Sequence, residues 1–179
     1  MPYSAAEGKS AALAWYEEIR PRTVIDIGAG AGTYAHAVRA HSAWKGRWTA
    51  IEAWEPYVEQ FGLHGLYDGV VVADVCRLPA SFYRVDLVIA GDVLEHMPRP
   101  DAVRLLDRIR MYAPHLIVSV PVLHLDQGAV YGNPYETHVD HWTAGQMRSE
   151  LSRSGTIRAE WVGDVLACFW WSAPSPDTA

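Results

Sequence analysis

The stretch VIDIGAGAG, Val24 to Gly32, decides the fold. Four apolar or β-branched positions around Asp26 form a short strand, and the chain then enters a loop with a glycine at every second position. A glycine turns tightly and lets a ligand approach the backbone. The helix expected from Thr33 to Ala40 aims its unpaired N–H groups at whatever lies there.

Outward from this stretch, strand and helix alternate. Strands are expected at TVIDIG, RWTAIEA, GVVVAD, VDLVIAGD and HLIVSVPV, with TIRAEWV and VLACFWW forming a final hairpin across Gly163 and Asp164. Helices are expected over residues 4–20, where Leu13, Tyr16 and Ile19 share a face, and in EPYVEQFGLH. Two more are expected in RPDAVRLLDRIRMYAP, where Val103, Leu106 and Ile109 share a face, and in TAGQMRSELSRSG. Near-continuous apolar strands are those buried on both faces, so the pattern predicts an α/β fold with a mostly parallel sheet. At 179 residues there is room for one domain, expected over residues 1–172, with a flexible tail at 173–179.

The formal net charge is -6, which gives no long-range attraction to a polyanion; nucleic acid is not an expected partner. Arg104, Arg108 and Arg110 read as the solvated face of a helix. No stretch is long and apolar enough for a membrane span, and no signal peptide is seen at the N-terminus. Cys76 and Cys168 read as buried free thiols, so a cytoplasmic location is expected. The eight tryptophans read either as core or as an aromatic pocket or interface. Oligomeric state is left open, a homodimer included.

In such sheets ligands bind at the carboxyl ends of the strands. Four consecutive strand ends here present an acid: Asp26, Glu52, Asp74 and Asp92. A dinucleotide fingerprint requires G-x-G-x-x-G, but the third glycine, Gly32, comes one residue early and Thr33 takes its place. Asp26 beside a helix N-terminus instead fits a ligand with its own ammonium and carboxylate. Glu52 can accept both hydroxyls of a ribose. Asp74 can accept from an adenine amino group while the Val75 N–H reaches a ring nitrogen.

With these residues in place the chain resembles the class I S-adenosylmethionine (SAM) dependent methyltransferases over nearly its whole length. VIDIGAGAG is similar to that family's first motif, Glu52 to its ribose acid, Asp74 to its adenine acid, and DLVIAGDVLEHM to its fourth-strand motif. The resemblance implies a Rossmann-like three-layer sandwich whose seven-stranded sheet has a reversed terminal strand, with an N-terminal cover helix. It implies SAM as cofactor and S-adenosylhomocysteine (SAH) as product. Asp26, Gly28, Gly30 and Gly32 then hold the methionine part, Glu52 the ribose and Asp74 with Val75 the adenine, while Asp92 lies near the sulfonium.

The family's amino-methylating DNA enzymes carry a polar-Pro-Pro-aromatic motif after the fourth strand; this chain has GDVLEH there, so an exocyclic base amine is not the expected acceptor. A small-molecule hydroxyl is. The long segment Val122 to Thr143 and the N-terminal helix are expected to form the acceptor pocket, with His138 or His141 as base beside Asp92. Asp92, Glu95 and His96 read D-x-x-E-H, similar to the E-x-x-E-H plus later histidine of metal-dependent small-RNA and ubiquinone-pathway O-methyltransferases. Because DVLEH also occurs in metal-free relatives, no metal is expected. The rival readings are a metal-assisted O-methyltransferase of a nucleic-acid end or catechol, a NAD-binding domain, and an inactive SAM-binding or interaction module.

Overall fold

The computed structural model describes residues 5–174. Of the expected tail, residues 175–179 lie outside the described residues. The strands are β1 (Thr23–Ile27), β2 (Arg47–Glu52), β3 (Gly69–Val72), β4 (Leu87–Gly91), β5 (His115–Pro121), β6 (Thr156–Val162) and β7 (Leu166–Ser172). They form one sheet in the order β3-β2-β1-β4-β5-β7-β6. Pairing is parallel from β3 to β5; β7 runs antiparallel to both β5 and β6. This is the mostly parallel seven-stranded sheet with one reversed strand that the sequence leads one to expect.

The helices are α1 (Lys9–Ile19), α2 (Thr33–His41), α3 (Glu55–Gln60), α4 (Leu63–Leu66), α5 (Arg99–Arg110) and α6 (Ala144–Leu151). Alternate strand residues feed two cores. Val24, Leu87 and Ile89 pack with Trp15, Tyr34 and Val38 of α1 and α2. Ile25, Val88 and Val118 pack with Leu105, Ile109 and Met147 of α5 and α6. Three layers follow from this period of two.

Three local readings differ from expectation. The helix expected through residues 55–64 breaks at Gly62, which stands at φ +60°, and becomes α3 and α4. The buried face of α1 is Ala12, Trp15 and Tyr16, because the Trp15 ring is seated against the sheet while Leu13 is only half-buried. Arg110 is not solvated: its side chain is 4% exposed and its Nη2 is 2.8 Å from Glu150 on α6. Arg108 reaches across to the Cys76 carbonyl at 2.6 Å, and Arg104 alone is largely exposed.

Both cysteines are free; Cys168 is buried and Cys76 half-buried, and burial pushes both thiols up to about 11. No tryptophan lines the main cavity, so the tryptophans serve mainly as core. Among the described residues no helix is long and apolar enough to cross a membrane.

Candidate active site

The carboxyl ends of β1, β2, β3 and β4 open on one cavity of about 540 Å³. All four strand-end acids line it, together with Gly28, Gly30 and Val75. Gly32 does not; it is the left-handed N-cap of α2, and a Cβ there would meet Leu66 at 2.3 Å. Gly28 is bare for a related reason: its φ is +64° and a Cβ would lie 2.2 Å from Val93. The glycine-rich loop is therefore shaped by the protein's own packing as well as open to a ligand.

Glu52 is buried and already organised. Its Oε2 accepts the Gly30 N–H and its Oε1 the Trp54 N–H, both at 2.9 Å. Burial pushes its pKa up, against these two bonds. Asp26 is buried at the end of β1 and accepts the Tyr67 hydroxyl at 2.6 Å. Burial pushes its pKa up to about 7, so this carboxyl titrates near neutrality. Asp74 caps a 3-10 turn, Val75–Arg77, by accepting the Cys76 N–H at 2.9 Å.

Asp92 stands at φ +55°, a strained conformation for a residue with a side chain. Its N–H donates to the Ser119 carbonyl at 3.0 Å and its Oδ1 accepts from Ser119 Oγ at 2.5 Å. Lys9 of α1 lies 3.6 Å from Oδ2 and donates to the Tyr34 hydroxyl at 2.9 Å. That hydroxyl is 3.0 Å from Ser119 Oγ. Four elements thus meet in one buried network, which the sequence reading did not find. Gly91 makes room for it: a Cβ there would strike the Tyr34 ring at 2.1 Å.

The segment 122–143 folds back over the cavity. Its tip turns at Tyr131 and Gly132, both at positive φ, with the Asn133 N–H donating to the Val130 carbonyl. Its return is fastened to the turn after β4: the Val139 and Asp140 N–H groups donate to the Glu95 carbonyl at 2.8 and 3.0 Å. Arg99 grips Asp140 through two nitrogens and stacks 3.6 Å over the Trp142 ring. These contacts carry His138 to His96, ring centroids 5.1 Å apart.

Both imidazoles are fixed in the same sense. His138 Nδ1 is 2.8 Å from the Leu125 carbonyl and His96 Nδ1 is 3.2 Å from the Thr137 carbonyl. A carbonyl only accepts, so each Nδ1 carries a hydrogen and a neutral ring leaves its lone pair on Nε2. Burial lowers the His96 pKa, which keeps that ring neutral. One ligand atom each from Glu95, His96 and His138 lies within 4.8 Å of the others. Glu95 Oε2 is buried without a hydrogen-bond partner among the described residues. Asp92 is not part of this group, so the D-x-x-E-H string contributes only its last two residues. His141 lies outside the cavity wall with its ring against His124.

The profile of the methyltransferase-domain family matches residues 24–113, half of the chain, which takes in all four strand-end acids and Glu95–His96. The chain belongs to the SAM-dependent methyltransferase family. No curated protein matches the methyltransferase in sequence. Solved structures match it along nearly its full length. The N-terminal domain of EvdMO1 with SAH bound has a TM-score of 0.68 and 15% identity, over 96% of this chain and 83% of that one. Magnesium protoporphyrin IX methyltransferase (ChlM) from Synechocystis PCC 6803 with bound SAH has a TM-score of 0.71 and 15% identity, over 94% and 83%. Small RNA methyltransferase HEN1 has a TM-score of 0.74 and 14% identity, over 97% of this chain and 26% of that one. At these identities the likeness is one of fold.

Proposed function

We propose that this SAM-dependent methyltransferase moves its methyl group to a hydroxyl of a small, uncharged acceptor. The observation that carries the reading is the pair of imidazoles, His96 and His138, held through Nδ1 at the wall of the cofactor cavity. In this reading Asp26 and the N-terminus of α2 receive the methionine part. Glu52 takes the ribose, Asp74 and Val75 the adenine, and Asp92 lies near the sulfonium. The sulfonium is an activated donor, so the protein must chiefly hold oxygen, methyl carbon and sulfur in line. The carbon–sulfur bond breaks as the carbon–oxygen bond forms; the hydroxyl proton passes to His138 Nε2, and neutral SAH leaves.

The wall supports an acceptor without negative charge. Seven carboxyl side chains line the cavity against one arginine, Arg77, whose side chain is 87% exposed. Lys9 offsets Asp92, and burial favours the neutral form of Asp26 and Glu95, but the remaining balance is still acidic and disfavours an anionic acceptor. The rim supports an apolar one: of nine exposed large hydrophobic residues among those described, five lie on the 123–139 segment, and Leu125 and Tyr135 line the cavity.

A second reading has its own support. Glu95, His96 and His138 fit a divalent cation: two imidazoles whose Nδ1 atoms face carbonyls, and a buried carboxyl with an orphaned oxygen, whose pKa burial pushes well up until a cation offsets that cost. A cation held there supplies Lewis acidity and lowers the pKa of an oxygen ligand. The chain's own part is unchanged: Leu125 and Thr137 set the tautomers, and the fold-back of the 122–143 segment brings the three side chains together. Calorimetric titration of the wild type with Mn²⁺ tests it; a binding isotherm lost in His96→Ala is the supporting result, and no isotherm removes the reading.

The proposed function is tested by supplying SAM with a labelled methyl group to neutral phenols and alcohols, their phosphorylated counterparts, and amines. The label is expected on oxygen of the neutral compounds, with His138→Ala slowing transfer about 100-fold. Label confined to nitrogen or carbon, or an undiminished rate in His138→Ala, contradicts it.

Asp26 gives a pH dependence. Its carboxyl must be ionised to accept the cofactor's ammonium, and in the free protein burial holds its pKa at about 7. Below that pH binding must also drive off a proton, so SAH affinity is expected to rise as pH increases to about 7 and then level off. The limiting slope is about tenfold per pH unit. The raised pKa also means that the free protein loses stability as pH climbs from about 4 to about 7. Calorimetry across this range checks the slope, and Asp26→Asn is expected to flatten it.

A further inference from the structure

The 122–143 segment places a second carboxylate on the cofactor side of the cavity. Glu136 ends a 3-10 turn, Pro134–Glu136, that Asn133 caps by accepting the Tyr135 N–H at 2.9 Å. Its residue is 7% exposed, and it lines the same cavity as Glu52. It sits near enough to Glu52 to add to the upward push on that acid's pKa, after burial. Tyr57 of α3, five residues beyond Glu52, buries its hydroxyl beside Asn133 and Glu136. Gln127 Nε2 donates to the Glu136 carbonyl at 2.6 Å, and the Gln127 carbonyl accepts the His138 N–H at 2.9 Å. The turn thus lies against Tyr57 of α3 on one side and is tied to the backbone of His138 on the other.

Two acids buried at one cavity wall repel each other in the free protein, and a hydroxyl-rich ligand between them relieves this cost. Glu52 already spends one lone pair of each oxygen on the Gly30 and Trp54 N–H groups. A ribose offers two hydroxyls, one for each carboxylate.

We propose that Glu136 is a cofactor-binding residue that accepts a hydrogen bond from a ribose hydroxyl opposite Glu52. It rests on the reading that SAM fills this cavity. The acceptor-binding segment therefore closes on the cofactor, and His138, two residues further on, is held in place by cofactor binding. Cofactor binding then tightens the acceptor site, and by reciprocity a bound acceptor tightens the cofactor.

Calorimetric titrations of SAH and of its 2′-deoxy and 3′-deoxy analogues test this on wild type, Glu136→Gln and Glu136→Ala. In the wild type each missing hydroxyl is expected to weaken binding about tenfold. In Glu136→Ala, SAH is expected to bind about tenfold more weakly, and one deoxy analogue should then bind as well as SAH does. Equal weakening of all three ligands, or no weakening, assigns Glu136 to shaping the segment and overturns the proposal. Glu136→Gln, which preserves the side chain's shape, gives the same comparison if the alanine variant does not fold. Wild type that binds none of the three overturns the cofactor reading itself, and the proposal with it.

Discussion

Glu52→Ala is expected to weaken SAH binding about 100-fold, or about 2.7 kcal/mol. Two losses combine. The ribose hydroxyls lose a charged acceptor, and each such bond contributes about 1.5–3 kcal/mol. The Gly30 and Trp54 N–H groups also lose the carboxylate that fixes both loops before the cofactor arrives. Calorimetry gives the affinity, and a melting curve of the free variant separates the binding loss from loss of fold. A change under about threefold would remove Glu52 from the ribose site.

Gly28→Ala carries the largest expected effect on stability. The backbone there is left-handed, at φ +64°, which costs an alanine about 1 kcal/mol. The added Cβ would also lie 2.2 Å from a methyl of Val93, forcing movement in a buried turn at about 1–3 kcal/mol more. For a chain of this size the sum corresponds to a melting temperature lower by roughly 5–15 °C. Val93→Ala in the same background removes the clashing methyl and is expected to restore part of the loss. A Gly28→Ala variant that melts with the wild type would contradict the packing account of this loop.

The sheet was legible because its strands are apolar runs bounded by helices of period 3.6, and local pattern suffices for that. The strand-end acids were legible because each stands at or just beyond the carboxyl end of its strand, so Asp26, Glu52, Asp74 and Asp92 line one cavity by topology alone. What was not legible depends on long-range docking. Arg110 reads as a surface residue until Glu150, on another helix, is known to cover it. Between His138 and His141, spacing alone could not say which faces the site; the Glu95 carbonyl decides it by pinning Val139 and Asp140. The same fold-back brings Glu95 and His96 to His138 while Ser119 and Lys9 turn Asp92 aside. Glu136 carried one weak signal, an acid inside an Asn-Pro turn, which became informative only beside Tyr57 and Glu52.

The most direct measurement is a crystal structure of the methyltransferase grown with SAH. The account predicts adenine at Asp74 and Val75, ribose on Glu52, and the homocysteine chain along Gly28 to Gly30 toward Asp26. Its sulfur should face the side of the cavity that holds His96 and His138. SAH bound elsewhere, or a cavity left empty at saturating SAH, would contradict it.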